Sequence, residues 1–204
     1  MRSLSSGTAN LAPALTLTQP TGVAAGDVLL AVVAHQAGNR RNMTPPTGWT
    51  AVPNTDRSNA KEVRIHAWFK IAGSNEPPSY TFTLTGGAGV DISGGVLAVS
   101  GATSINASGS QSGGTSSTSV SAPSITTTAP SALLVFGGAC NNASSFTPPS
   151  GMTEQWDRAS SGAGARVATE TAIEGFPGPG ATGIRTATAS SSCRSVGVQI
   201  AVRP

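Results

Sequence analysis

"VRIHAWFKI", residues 63–71, alternates without a break. Val63, Ile65, Ala67, Phe69 and Ile71 fall on one side, and Arg64, His66, Trp68 and Lys70 on the other. A period of two marks a β-strand with one face toward a core and one toward water. "YTFTLT" (80–85) and "ALTLT" (14–18) repeat the pattern, while "DVLLAVVAH" (27–35) is apolar throughout, as a strand covered on both faces would be. "GVLAVS" (95–100) closes this half of the chain. The intervening "QPTGVAAGD", "NRRNMTPPTG", "GSNEPPS" and "TGGAG" are Gly/Pro turn signals that continue neither strand nor helix. Short strands at such spacing predict an all-β fold, a two-sheet antiparallel β-sandwich.

Composition agrees. The chain has 204 residues with 25 Gly and 14 Pro, and its only lysines are Lys61 and Lys70, so surface helix formers are scarce. Charged residues make up 10%, against the usual ~25%, so the surface is expected to be Ser, Thr and Asn. The net charge is +3, and Arg40-Arg41 is the one adjacent basic pair, which gives no nucleic-acid footprint. No run approaches the ~20 apolar residues of a membrane span, and "MRSLSSGTANLAPALTLTQP" lacks the apolar core of a secretory signal. Residues 1–13 are expected to be an N-terminal arm, ordered on a neighbour or frayed. For Cys140 and Cys193 two free thiols are favoured over a single disulfide.

The second half replays the first. "LL" at 29 recurs at 133, "TPPTGWT" (44–50) as "TPPSGMT" (147–153), "IAG" (71–73) as "IEG" (173–175), and "GVLAVS" at 95 as "GVQIAV" at 197. Four matches in one order point to an internal duplication, with halves at about 14–102 and 117–204. Ser/Gly/Thr-rich 103–116 joins them as a linker. Two architectures follow: separate small sandwiches, or one larger jelly-roll-like domain over 14–204 in which each copy contributes to both sheets. The second copy holds less apolar bulk, which favours the single domain.

No catalytic constellation stands out. The carboxylates Asp27, Asp56, Glu62, Glu76, Asp91, Glu154, Asp157, Glu170 and Glu174 are scattered, and no pair is placed across a cleft as glycoside hydrolysis requires. His35 and His66 have no metal-ligand spacing, and no cofactor fingerprint is present. We therefore expect no enzyme, metal or cofactor. Pro45, Pro46 and Gly48 bend the chain so that Trp49 closes one end of the fold; Pro148, Pro149 and Met152 do the same in the copy. The change from Trp to Met favours a plug over a sugar-stacking platform. Trp68 falls on the polar face with Arg64. With Arg64, Arg40 and Arg41 it is the candidate interface or glycan contact, unless a loop from the second half covers it.

The order "GDVLLAVVA … PPTGWTAV … FKIAGSNEPPSYTFT … GGVLAVSGA", followed by "PSITTTAPSALLVFGGA … PPSGMTEQWD … ATGIRTATASSS", resembles a β-sandwich module of tailed-phage structural proteins. Such modules occur in minor tail and tail-fibre proteins, especially of phages of actinobacteria, and in related virion surface proteins. The resemblance implies a non-enzymatic virion component made in the host cytoplasm, with capsid or tail proteins as partners. As a stand-alone module it looks most like a capsid decoration protein, a homo-oligomer with a trimer favoured. A second expectation is a tail-associated protein that binds host glycans through Trp49, Trp68 or Tyr80.

Overall fold

The computed structural model describes residues 1–162 and 166–204. Its first half contains β1 (Ser3–Ala12), β2 (Ala14–Thr18), β3 (Val28–His35), β4 (Asn42–Thr44), β5 (Thr50–Ala51), β6 (Arg57–Asn59), β7 (Val63–Ile71), β8 (Ser79–Thr85) and β9 (Val90–Val99). The second contains β10 (Ser104–Ser112), β11 (Ser117–Ala122), β12 (Thr126–Thr127), β13 (Ala132–Asn141), β14 (Phe146–Thr147), β15 (Thr153–Ala159), β16 (Val167–Phe176), β17 (Gly180–Ala181), β18 (Arg185–Cys193) and β19 (Ser195–Arg203). One 3-10 turn, Gly38–Arg40, interrupts the strands, and the protein is all-β with antiparallel pairing throughout the described residues.

Each half builds its own pair of sheets. In the first, a large sheet in the order β1-β9-β3-β7-β5, with β6 also on β7, lies against a small sheet β2-β8-β4. In the second, β10-β19-β13-β16-β15 lies against β11-β18-β14. No sheet mixes strands of the two halves. This corrects the expectation of one sandwich with both copies in both sheets.

The two large sheets pack on each other, so four layers stack in the order small, large, large, small. Contacts between the large sheets are reciprocal: β3 meets β16 as β13 meets β7, and β9 meets β16 as β19 meets β7. That is the pattern of a two-fold interface between like surfaces, here within one chain.

The stacking explains the apolar runs. Along β3, Val28, Leu30, Val32 and Ala34 enter the core shared by the halves, while Leu29, Ala31 and Val33 enter the core under the first small sheet. Along β19, Val196, Val198, Ile200 and Val202 face the shared core. Each such side chain contributes roughly 1.5–3 kcal/mol on full burial. The shared core thus supplies the thin second half with apolar contact it could not make alone. The layers meet closely at Gly137, where a Cβ would lie 2.9 Å from Val32 Cγ1 of the facing sheet.

Several expectations change. Residues 3–12 are the edge strand β1, paired with β9, rather than an arm. Residues 104–112 within the expected linker are β10, paired with β19. Cys140 and Cys193 are joined by a disulfide that ties β13 to β18 across the second half's core, and neither is free. Two of the four letter matches do not occupy matching positions. Leu29 faces the first small sheet, whereas Leu133 packs on the shared core; Val96 and Val198 differ in the same way. A slip of one residue reverses the face of a strand. By facing and pairing, Leu30 with Leu97 is matched by Val135 with Ile200.

Candidate binding groove

The residues singled out in the sequence do not assemble into one exposed site. Trp68 is only 5% exposed and stacks between His66, at 5.1 Å and 10°, and Phe82, at 5.3 Å and 27°. Its face of β7 is the one covered by the small first-half sheet, so the expectation of water there is wrong. Arg64 is a clamp: its guanidinium donates to both Asp56 carboxylate oxygens, at 2.6 and 2.7 Å, and to the Arg41 carbonyl at 2.7 Å. Arg40 is exposed on the 3-10 turn, and the Arg41 guanidinium lies beside Gly87. These arginines gather near the outer end of β7, apart from any accessible aromatic ring.

The two Pro-Pro turns share a geometry. Trp49 N–H donates to the Pro46 carbonyl at 3.4 Å and Met152 N–H to that of Pro149 at 3.0 Å. Gly48 and Gly151 take φ of 86° and 84°, the positive value a type II turn needs at its third residue. Pro45, Pro46 and Pro148 are half-buried and Pro149 is buried. Trp49 meets Tyr80 and Phe82 edge-on at 5.1 and 5.6 Å, and Met152 enters the second half's own core. Trp49 and Tyr80, like Trp68, are buried and offer no sugar platform.

Buried polar groups form two further clusters. His66 Nδ1 lies 3.3 Å from Asp56 Oδ1, and its Nε2 lies 3.3 Å from His35 Nε2. Burial holds His66 at about 4 against the pull of Asp56. Burial, then the charges of His66 and Arg64, holds His35 at about 3. Both imidazoles are therefore neutral at pH 7. For Asp56, burial pushes upward, but the Arg64 hydrogen bond and the neighbouring cations outweigh it and leave the carboxyl low. In the second half Glu170, fully buried, faces Asp157 across the β16–β15 pair. Burial, with Glu154 and Asp157 nearby, pushes its carboxyl up to about 8.

The other carboxylates near turns are local ties. Asp27 accepts from Arg2 and from Ala24 N–H; Glu76 accepts from Lys70, Gly73 N–H and Tyr80. Glu174 pairs with Arg185. Among the described residues no group of three or more His, Cys, Asp or Glu could hold a metal ion.

A sizeable concavity lies elsewhere, at the junction of the halves. It is a groove of about 990 Å³, bounded by residues from Thr50 to Arg57, by Ile105 to Ser110 of β10, and by Pro123 to Thr126. Phe69 and Ile105 give it an apolar end. β10 is an edge strand, so its outer backbone edge faces this space. On one side Ser108 Oγ donates to the Pro53 carbonyl and Ser110 Oγ to that of Asn54, at 2.5 and 2.6 Å, fixing the β5–β6 segment as a wall. On the other side Gly109 lies under Ile125 and Pro123.

The reciprocal junction is filled. Val52 N–H bonds to Ala67, and Trp156 pairs with Thr171 at the corresponding place on β15; both side chains enter the shared core. The Trp156 ring reaches Gly95, where an added Cβ would lie 3.0 Å from it. Val52 is too short to span the equivalent gap. Sequence reasoning missed the groove because β10, Ser- and Gly-rich, carries no apolar alternation. The one available signal was the tryptophan of "TEQWDRA" against "TAVPNTD".

Comparison with known proteins finds no matching family, no matching curated protein and no matching solved structure.

Proposed function

We propose that the protein is a non-enzymatic structural component of a tailed-phage virion surface, a decoration protein bound in many copies to the assembled head as a homo-oligomer. The observation that carries this reading is how sparsely charged the chain is, with 10% charged residues and four of its cations held in ion pairs. Arg2, Arg64, Lys70 and Arg185 are held by Asp27, Asp56, Glu76 and Glu174. The outer small sheets then present Thr16, Thr81, Thr83, Ser119, Thr186 and Thr188. A sparsely charged, hydroxyl-rich surface suits packing against repeated neighbours with little long-range repulsion.

Two further features support the reading. The buried disulfide suits a protein that works outside a reducing cytoplasm. The fold supports an origin by internal duplication, because the second half follows the strand order of the first. Within each half, β1-β9-β3-β7 against β2-β8-β4 is the order of a jelly roll whose remaining strand, β5, has joined β7. We therefore read the chain as two jelly-roll-like units back to back.

The test is co-sedimentation of the purified chain with undecorated heads of an actinobacterial phage, with free coat subunits as the control. Saturable binding to heads alone is expected. Failure to bind heads removes the decoration reading, and binding to tails in its place moves the protein to the tail.

A further inference from the structure

We infer that the groove between β10 and the β5–β6 segment is a strand-addition site, which takes an uncharged extended peptide segment of about six residues as a further strand on β10.

The register of β10 on β19 decides which backbone groups face the groove. Gly113 N–H donates to the Ser195 carbonyl, and the pairs Gln111–Gly197, Gly109–Gln199 and Ala107–Ala201 keep the same phase. In an antiparallel ladder alternate residues turn both backbone groups to the partner, and those between turn them away. The N–H and C=O of Ser108 and Ser110 therefore point outward, and none of the four has a partner among the described residues. Unpaired edge groups at strand spacing are the template that strand addition uses.

The walls favour a strand over other occupants. Ser108 and Ser110 send their hydroxyls to the β5–β6 segment, and Gly109 faces the 123–126 segment, so the open edge is the floor of a slot between two flanking layers. The face residues Ile105 to Ser110 cover about 20 Å at 3.3 Å per residue. At the rim Asp56 is held by Arg64, while Arg57 is exposed and donates to the Ser112 hydroxyl. Among the described residues no other charged side chain lines the slot, so a charge carried inside it would be buried without a partner, and the strand it takes is uncharged along its length. A saccharide would find one ring to stack on, the half-buried Phe69. The virion reading names a natural source, an extended arm of a neighbouring structural protein; the slot itself does not depend on that reading.

The experiment selects ten-residue peptides from a random display library on the intact protein, alongside a panel of neutral oligosaccharides. Enrichment of uncharged, β-prone peptides is expected, with amide exchange at Ser108 and Ser110 slowed at least tenfold on binding. Ser110→Pro removes an outward N–H, which an edge strand tolerates, and should weaken those peptides at least tenfold with Tm little changed. Thr126→Trp fills the slot from the opposite wall and gives the same readout should Ser110→Pro fold poorly. No enriched peptide, peptides indifferent to both variants, or oligosaccharide binding lost on Thr126→Trp would each overturn the inference. Peptide binding without head binding would uphold it and remove the decoration reading instead.

Discussion

His35 and His66 meet Nε2 to Nε2 at 3.3 Å across the β3–β7 pair, both buried, with Asp56 on the far side of His66. One hydrogen bond between them needs one donor and one acceptor, so at least one ring is neutral. Arg64 and Arg41 add positive charge around His35. The folded values, about 3 and about 4, lie below the ordinary 6.5, so the unfolded chain binds more protons over the interval between. From these two groups stability is full above pH 6.5 and falls as pH drops toward 4, each imidazole taking up close to one proton on unfolding. Urea midpoints from pH 7.5 to 4 measure this, and His35→Gln should flatten the slope by about one proton.

Glu170 gives the opposite dependence. Its folded value, about 8, lies above the ordinary 4.5, so here the folded state holds the extra proton. Stability from this group is full below pH 4.5 and declines as pH rises through 8. Glu170→Gln keeps the shape without the titration. It should raise Tm by several degrees at pH 8.5 and change it little at pH 5, and equal shifts at both would disprove a protonated Glu170.

The disulfide closes a segment with a sequence separation of 53. Loop entropy of that size corresponds to about 4 kcal/mol. Thiol titration of denatured, unreduced protein should find no free cysteine, and Cys140→Ala with Cys193→Ala should lower the unfolding free energy by roughly 2–4 kcal/mol. Two titratable thiols in the purified protein would refute the pairing.

Trp49 and Met152 close the two cores after turns of the same shape. Trp49→Ala should cost about 3–5 kcal/mol and Met152→Ala about 2–5 kcal/mol by chemical denaturation. Because the shared core joins the halves, both variants should still unfold in a single transition. Separate transitions would mean that the halves are stable independently.

Much of the secondary structure was legible along the chain. The alternation of "YTFTLT", the unbroken apolar run of "DVLLAVVAH" and the Pro-Pro-Thr/Ser-Gly turns are local patterns, set by the two-residue pleat and by glycine's access to positive φ, and they reappear as β8, β3 and the turns before Trp49 and Met152. β1 and β10 were not legible. Edge strands half-covered along their length need no alternation, and their Ser and Gly residues read as arm and linker.

None of the candidate groove was legible, since its floor is backbone and its walls come from segments about fifty residues apart or more. The sequence by itself determined that this chain makes strands and where they turn. Only the tertiary structure decided which faces meet water. The first small sheet covered the face of β7 that holds His66 and Trp68, and the second half's large sheet covered the other, because coverage depends on what another layer brings to a strand and not on the strand's own pattern.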